Sequence, residues 1–430
     1  MPVKIGLVGC GTVGMSVLKI LHTNPGLIED RVGDKIVVKT VCDKRVNELE
    51  DIKKYAKDAI LTDDYKKIVS DPEISLVVEL VGGYTIAKDV VMESLRAGKQ
   101  VATANKALIA TYWNEIFSTA KKYKALIYFE ASVAAGVPVI QALNEGLAAN
   151  RIESITGILN GTTNYILSAM SRDGKSFASA LKEAQKAGFA EADPTLDIEG
   201  HDTKQKLSIL SSLAYDNWVP PDKIYCEGIT GIDVIDLKFA KEEFGLTLKL
   251  LGVTKFANGK LESWVRPTFI QETHMMSRIE NEYNGILIKG DAAGDVMFYG
   301  RGAGGDAAAS GVLSDIIYLA RNVVHETAEK MPYVMYNERK LNFLPIEDSE
   351  GEYFLRFTTV DRPGVLAKIS GALGENNVSI ASCFQRAIGS TVPIFVTTHK
   401  TKEGNIRKAM ACIDNLPIVR SKTVVYRIED

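Results

Sequence analysis

A run of acids followed by two lysines carries the densest chemistry in this chain. Glu191, Asp193, Asp197, Glu199 and Asp202 fall between Ala187 and Leu207, with Lys204 and Lys206 close behind. Gly188, Pro194 and Gly200 interrupt any continuous helix, so most of these acids are expected on a shaped loop. A helix is expected to begin at Asp202, a good N-cap, and to continue through Lys206, Leu207, Ile209, Leu210 and Leu213. Residues four apart on a helix lie one above the other, so the Asp202 carboxylate and the Lys206 amine should meet. Lys206 shares its face with Ile209 and Leu210 and should point toward protein. Lys204 leaves from nearly the opposite side, toward water. An amine held beside a carboxylate on a protein-facing surface is suited to moving a proton. The plainer reading, a surface ion pair behind a solvated acidic turn, is the usual one for a lone Asp-x-x-x-Lys.

A second chemical constellation opens the chain. Val3 to Val8 reads as an apolar strand, followed at once by Gly9-Cys10-Gly11-Thr12-Val13-Gly14 and a helix carrying Val17, Leu18 and Leu21. Strand, G-x-G-x-x-G and helix together form the dinucleotide-binding pattern. Gly9 permits the tight turn, Gly11 lets a pyrophosphate approach the backbone, and Gly14 allows close helix–strand packing. The helix N-terminus offers free N–H groups and partial positive charge to the phosphates. The next strand, Lys35 to Cys42, ends in Asp43-Lys44-Arg45. An acid there suits the ribose diol of NAD, and neighbouring basic residues suit the extra phosphate of NADP. The two cues conflict, and NAD or NADP stays open.

The elements that must position these residues alternate. A helix near Tyr65 to Val69, a strand Leu76 to Val81, a helix Ile86 to Arg96, a strand Gln100 to Thr103, a helix through Ile116 and a strand Leu126 to Phe129 imply a doubly wound, mostly parallel Rossmann-like sheet. From Ile152 the pattern changes to an α+β domain, with strands at Ile155 to Leu159, Leu246 to Val253 and Leu261 to Pro267. Tyr299 to Asp306 reads as a glycine-rich loop before an apolar helix from Gly311 to Leu319. Glu347 to Glu352 reads as an acidic linker. Behind it, strands at Tyr353 to Val360, Val378 to Gln385, Val392 to Thr398 and Val419 to Ile428 enclose two helices in βαββαβ order, a ferredoxin-like module expected to fold apart from the rest.

Composition narrows the function classes. A net charge of −3 with 24% charged residues gives no polybasic surface for nucleic acid or anionic membrane. Cys10, Cys42, Cys226, Cys383 and Cys412 are odd in number and lack metal-site spacing, as in a reduced, cytoplasmic protein. No signal peptide and no membrane span are expected.

The string Asp193-Pro194-x-x-Asp197-Ile198-x-Gly200-x-Asp202-x-x-x-Lys206 resembles the signature of homoserine dehydrogenases. The resemblance covers practically the whole chain. It implies three domains: 1–135 for NAD(P), with 306–340 returning to it, 136–305 for catalysis and dimerisation, and 350–430 as a regulatory module. With Asp361-Arg362-Pro363-Gly364-Val365-Leu366 and Asn377-Val378-Ser379-Ile380, that last module resembles an ACT domain, a small amino-acid sensor.

What the resemblance implies is specific. Lys206 is the general acid/base and Asp202 supports it. Lys106, in Ala104-Asn105-Lys106, lies between cofactor and substrate as a second catalytic lysine. Glu191, Asp202, Asp197 and, in the loop Asn160-Gly161-Thr162-Thr163-Asn164, Gly161 and Thr162 hold the substrate. From the residues alone, that loop equally caps a helix starting near Tyr165. Thr103, Gly188 and Gly302 join Gly9, Gly11, Thr12, Val13, Gly14, Asp43, Lys44, Arg45 and Lys106 around the cofactor. Backbone carbonyls at Glu130, Val133, Ala135 and Val137 hold a monovalent cation, Na+ or K+. Here Ala135-Gly136 replaces the family's Gly-Gly, and the family's proline near Ala307 is missing. Asp361, Gly364, Val365 and Leu366 would receive an amino-acid effector, threonine first, in a homodimer or homotetramer.

The implied reaction moves a hydride between a nicotinamide and the C4 carbon that distinguishes L-aspartate 4-semialdehyde from L-homoserine. Hydride arriving at an aldehyde builds alkoxide charge, which needs a proton donor within about 3 Å. Three rivals stand beside this reading. A semialdehyde dehydrogenase would need a nucleophilic cysteine, and none of the five lies in such a motif. Another amino-acid or hydroxy-acid dehydrogenase could use the same scaffold. A catalytically silent amino-acid sensor is the non-enzymatic alternative.

Overall fold

In the computed structural model, which describes residues 2–46, 48, 51–330, 341–385 and 389–429, the chain forms two compact units. Of the expected return segment 306–340, residues 331–340 lie outside the described ones. The first unit contains residues 1–161, 202–224 and the described part of 282–340. Its six-stranded parallel sheet has the spatial order Ile60–Thr62, Ile36–Cys42, Val3–Val8, Leu76–Glu79, Gln100–Thr103, Ile127–Tyr128. In chain order that is 3-2-1-4-5-6, with the reversal between Val3–Val8 and Leu76–Glu79, where ligands bind in doubly wound sheets. Every residue of the central strands Leu76–Glu79 and Gln100–Thr103 is buried, as helices covering both faces of the sheet require.

The helix Gly305–Val324 packs within this unit. Ala309, Val312, Ile316, Leu319 and Ala320 pack with Val17 and Leu18 of the first helix. Its length and composition would allow a membrane crossing, but more than half of its apolar window is buried in this core. The same unit holds three antiparallel strands, Ile152–Ile158, Tyr283–Gly290 and Gly294–Arg301. The last corrects the loop expected from Tyr299. Gly300 and Arg301 pair with Asn284 and Tyr283, and the rings of Tyr283 and Tyr299 stack at 5.2 Å. Cross-strand pairing overrides the glycine-rich composition that read as loop.

The second unit contains residues 162–201, 225–281 and the described part of 341–430. Leu246–Ala257 and Lys260–Gln271 form a long hairpin. Its turn is Asn258-Gly259, both with positive φ, the pairing that matches strand twist. The tail strands lie in the order Val419–Ile428, Glu350–Thr359, Val392–Thr398, Ile380–Phe384, all antiparallel. Helices Val365–Glu375 and Glu403–Asp414 cover one face through Ile369, Leu373, Ile406, Ala409 and Ile413.

This module does not stand clear of the rest of its unit. Val419–Ile428 continues the hairpin's sheet by pairing Arg427 with Thr268 and Ile428 with Phe269. The face without helices carries Phe354 and Phe395, which meet Phe239 and Phe244 of the helix Val234–Phe244. Phe239 stacks on Phe395 at 3.8 Å. The supposed linker is itself ordered, with Glu350 already in a strand. This sheet carries apolar residues on both faces, and the module's own helices cover only one.

Candidate active site

Lys106 is the first residue of the helix Lys106–Tyr123, directly beyond the strand Gln100–Thr103. A chain of polar contacts fixes that corner. The buried Glu79 carboxylate accepts from Thr103 Oγ1 at 2.6 Å and from the Val81 amide at 2.8 Å. Thr103 Oγ1 in turn accepts from the Asn105 amide at 3.0 Å. The Asn105 side chain caps the helix through the Leu108 amide and donates to the Gly83 carbonyl. Sequence reasoning missed Glu79, although a charge inside Leu76-Val77-Val78-Glu79 was its signal.

The helix His201–Ala214 begins one residue before the expected N-cap. Asp202 therefore sits in the first turn, and its side chain turns into protein instead of capping the helix. Its Oδ1 lies 2.8 Å from Lys106 Nζ and its Oδ2 lies 2.8 Å from Lys206 Nζ. Asn160 Nδ2 donates to the same Oδ2 at 2.8 Å, and Lys206 Nζ donates to the Leu159 carbonyl at 2.7 Å. Asp202 is 3% exposed, Lys206 10% and Lys106 34%. Burial works to raise the Asp202 pKa, but the two ammonium groups and the Asn160 amide outweigh it and hold the carboxyl well below its ordinary range. One carboxylate between two ammoniums leaves a net positive charge, an arrangement that favours negative charge developing on a nearby oxygen. Lys204 is half-buried rather than fully solvated, but it takes no part in this cluster.

At the cofactor end, Gly9 has φ +94, and a Cβ there would lie 2.6 Å from the Leu80 carbonyl carbon. A Cβ on Gly14 would fall 2.3 Å from the Gly9 oxygen. A Cβ on Gly11 would meet nothing within 4 Å, so the backbone there is open for a phosphate to approach. The helix Thr12–Thr23 has no side-chain cap and no acid in its first turn. Asp43 accepts from the Cys10 and Arg45 amides, each at 2.8 Å, and so ties the glycine turn to the second strand. Lys44 and Arg45 are exposed beside it. Gly302 leads into Gly305, whose Cα faces Thr12 and Ser16, so this loop sits against the same turn. Burial, then Asp43, pushes the Cys10 thiol up to about 12, and burial pushes Cys42 up to about 11. Neither is a ready nucleophile.

The turn after Glu130 shows consecutive left-handed residues, Ala134 at φ +53 and Ala135 at φ +46. Ala135 thus adopts a left-handed conformation that glycine reaches more freely. Glu130 accepts from the Ile140 and Gln141 amides at 2.8 Å, and its own amide donates to the buried Asp315. Burial drives Glu130 up to about 7 against those amides, and drives Asp315 well above its usual range. Asp315 was missed. Its signal was an acid in the middle of an apolar helix.

Glu191, Asp197, Gly188 and Thr162 belong to the second unit. Glu191 is exposed, and its carbonyl accepts from the Gln185 side chain. Asp193 opens the short helix Thr195–Ile198 by accepting from the Thr195 amide and hydroxyl. Gly188 and Gly200 bend the loop at φ +79 and +80. Thr162 Oγ1 donates to the Phe189 carbonyl at 2.6 Å. Gly161, in the first unit, starts the helix Gly161–Asp173, where a Cβ would lie 2.6 Å from the Glu282 oxygen.

An open glycine turn at the sheet's switch point and a buried carboxylate held between two lysines define an NAD(P)-dependent oxidoreductase. Family models agree along the chain: "Homoserine dehydrogenase, NAD binding domain" at 9–130, "Homoserine dehydrogenase" at 138–317 and "ACT domain" at 353–417. The homoserine dehydrogenase of Neisseria gonorrhoeae is 41% identical over 100% of this chain and 99% of its own. That of Pseudomonas aeruginosa is 38% identical over 100% and 99%. The crystal structure of a homoserine dehydrogenase from Thiobacillus denitrificans superposes with a TM-score of 0.95, at 40% identity, covering 100% of this chain and 99% of that one. A hyperthermophilic archaeal homoserine dehydrogenase in complex with NADPH gives a TM-score of 0.62, at 28% identity, over 74% of this chain and 97% of its own. The chain belongs to the homoserine dehydrogenase family, and its reaction is the NAD(P)-dependent interconversion of L-aspartate 4-semialdehyde and L-homoserine in amino-acid biosynthesis.

Proposed function

We propose that Lys206 is the proton donor and acceptor of this reaction, and that Asp202 and Lys106 set its charge and place. The observation that carries the reading is the buried Asp202 carboxylate, held between both amines at 2.8 Å. In semialdehyde reduction, charge grows on the C4 oxygen, and an ammonium of Lys206 would neutralise it by giving up a proton. In the reverse direction the neutral amine takes the proton from the C4 hydroxyl. Asp202 fixes the Lys206 amine together with the Leu159 carbonyl, while Lys106, the more exposed of the two lysines, is available to substrate. A bound nicotinamide supplies the hydride donor or acceptor. Glu191 is the proposed partner of the substrate ammonium, with Asp197, Gly161 and Thr162 completing its binding. Asp202→Asn should lower kcat by about 10²-fold or more, with NADPH fluorescence binding retained. Near-normal turnover of this variant would contradict the reading.

Both coenzymes are proposed to bind. Gly9, Gly11, Thr12, Val13, Gly14, Thr103, Gly188 and Gly302 would hold the shared parts, Asp43 the diol, and exposed Lys44 and Arg45 the 2′-phosphate. Among the described residues no group of three His, Cys, Asp or Glu could hold a metal. The proposed Na+ or K+ would therefore rest on the carbonyls of Glu130, Val133, Ala135 and Val137, oxygen donors that suit a hard ion. The functional division is proposed at 1–135 with 306–340, 136–305 and 350–430. Threonine is the proposed effector, at Asp361, Gly364, Val365 and Leu366, in a cytoplasmic homodimer or homotetramer.

A further inference from the structure

Arg266 is buried in the strand Lys260–Gln271, within the second unit, and touches two different elements at once. Its Nη1 donates to Glu403 Oε2 at 2.7 Å and its Nη2 to Glu403 Oε1 at 3.3 Å, a two-pronged ion pair with the first residue of the tail helix Glu403–Asp414. The same Nη2 reaches Glu227 Oε2 at 3.2 Å. Tyr353 donates its hydroxyl to Glu403 at 2.9 Å, so this carboxylate is fully engaged. Burial works to raise its pKa, but Arg266 and the other donors hold it down at about 2. The Tyr225 ring lies 5.2 Å from the guanidinium carbons of both Arg266 and Arg407, a double cation–π contact.

The segment that Arg266 clamps is pressed against the acid loop. Tyr225 and Cys226 pair with Trp264 and Val265, and the Glu227 amide donates to the Val265 carbonyl. The Ile229 amide then donates to the Ile198 carbonyl at 2.7 Å, Cys226 Sγ to the Glu199 carbonyl, and Thr230 Oγ1 to Glu199 Oε1 at 2.6 Å. The fit leaves no slack. A Cβ on Gly228 would lie 2.3 Å from the Ile198 oxygen, and one on Gly200 would lie 3.1 Å from Cys226 Sγ. Two residues after Gly200 the chain reaches Asp202.

We infer that Arg266 is a positioning residue for the reaction: through the segment 225–230 it holds the acid loop 193–200 in its substrate-binding shape, anchored on Glu403 of the tail. The inference rests on the proposed substrate role of that loop. None of the tail residues needs to touch substrate for the tail to set substrate affinity.

The test compares Arg266→Lys and Glu403→Gln with Arg356→Lys, all in the full-length protein. Arg356 pairs with the buried Asp236 and also ties the tail to this unit, but it does not contact segment 225–230. Hydrogen–deuterium exchange of residues 193–200 should accelerate at least tenfold in the Arg266 and Glu403 variants and stay at the wild-type rate in Arg356→Lys. KM for homoserine should rise about tenfold in the first two, a part of the ~100-fold that a 1 Å misplacement of a positioned group can cost. KM for the coenzyme should be unchanged. Unchanged exchange at 193–200, or equal acceleration in all three variants, overturns the link. Faster exchange with unchanged homoserine KM overturns the positioning role. Asp197→Ala, the proposed substrate residue of that loop, is assayed alongside. If that variant leaves homoserine KM unchanged, the failure lies in the substrate reading of the loop and is separable from the other outcomes.

Discussion

Asp202 and Lys206, with the half-buried Lys106, form a charge cluster in which neither Asp202 nor Lys206 could sit alone. A buried carboxylate without partners would cost several kcal/mol, and a buried ammonium as much. Asp202 offsets both lysines at once, and Asn160 and the Leu159 carbonyl take up further hydrogen-bonding capacity. At the cofactor end the same logic divides labour on one turn. Asp43 faces inward to backbone amides, while Lys44 and Arg45 face solvent. Replacing Lys44 and Arg45 together with Ala should raise Kd for NADPH at least tenfold and change Kd for NADH little, because each lost phosphate contact is a charge-assisted hydrogen bond. Equal losses for the two coenzymes in a fluorescence titration would show that this turn does not read the phosphate.

Among elements, the turn after the first sheet stores strain that alanine makes visible. Left-handed backbone costs an L-residue roughly 1–2 kcal/mol, and Ala134 and Ala135 both adopt it. Ala135→Gly should therefore stabilise the protein, by up to about 1 kcal/mol once the greater freedom of glycine in the unfolded chain is subtracted. A lower midpoint in chemical denaturation would contradict the left-handed assignment. The elements of the site were largely legible beforehand. Gly9 to Gly14, Gln100–Thr103 and the i, i+4 spacing of Asp202 and Lys206 are local signals, and local signals survive in a sequence. Asn160 as the amide on Asp202, Glu79 under Thr103, and Asp315 beneath Glu130 were not legible. Each meets its partner across 24 to 185 positions of chain, and no pattern of nearby residues announces such a contact.

For the molecule as a whole, the tail is the clearest case of that limit. Its βαββαβ order and the strands Val392–Thr398 and Val419–Ile428 could be read from alternation. Its continuity with the hairpin strand Lys260–Gln271 could not, because a strand edge carries no mark of which segment will pair with it. Arg266 and Glu403 likewise look like ordinary surface charges until the fold buries both. The consequence for design is direct. Deleting residues 350–430 would strip Phe239 and Phe244 of their aromatic partners in the tail, remove the counter-ion of Arg266 and uncover the strand edge that Val419–Ile428 pairs with. The truncated chain is expected to aggregate on expression. A soluble, fully active truncation would show that the tail is an accessory to the unit rather than part of it.

The central claim is that Lys206, fixed by Asp202, moves the proton. Single-turnover oxidation of homoserine, followed as NADPH absorbance in Lys206→Ala and Lys204→Ala, tests it most directly. The account predicts a rate lower by roughly 10²- to 10⁴-fold for Lys206→Ala, with coenzyme affinity unchanged, and a near-normal rate for Lys204→Ala. A Lys206→Ala enzyme that keeps most of its rate, or a Lys204→Ala enzyme that loses it, would contradict the account.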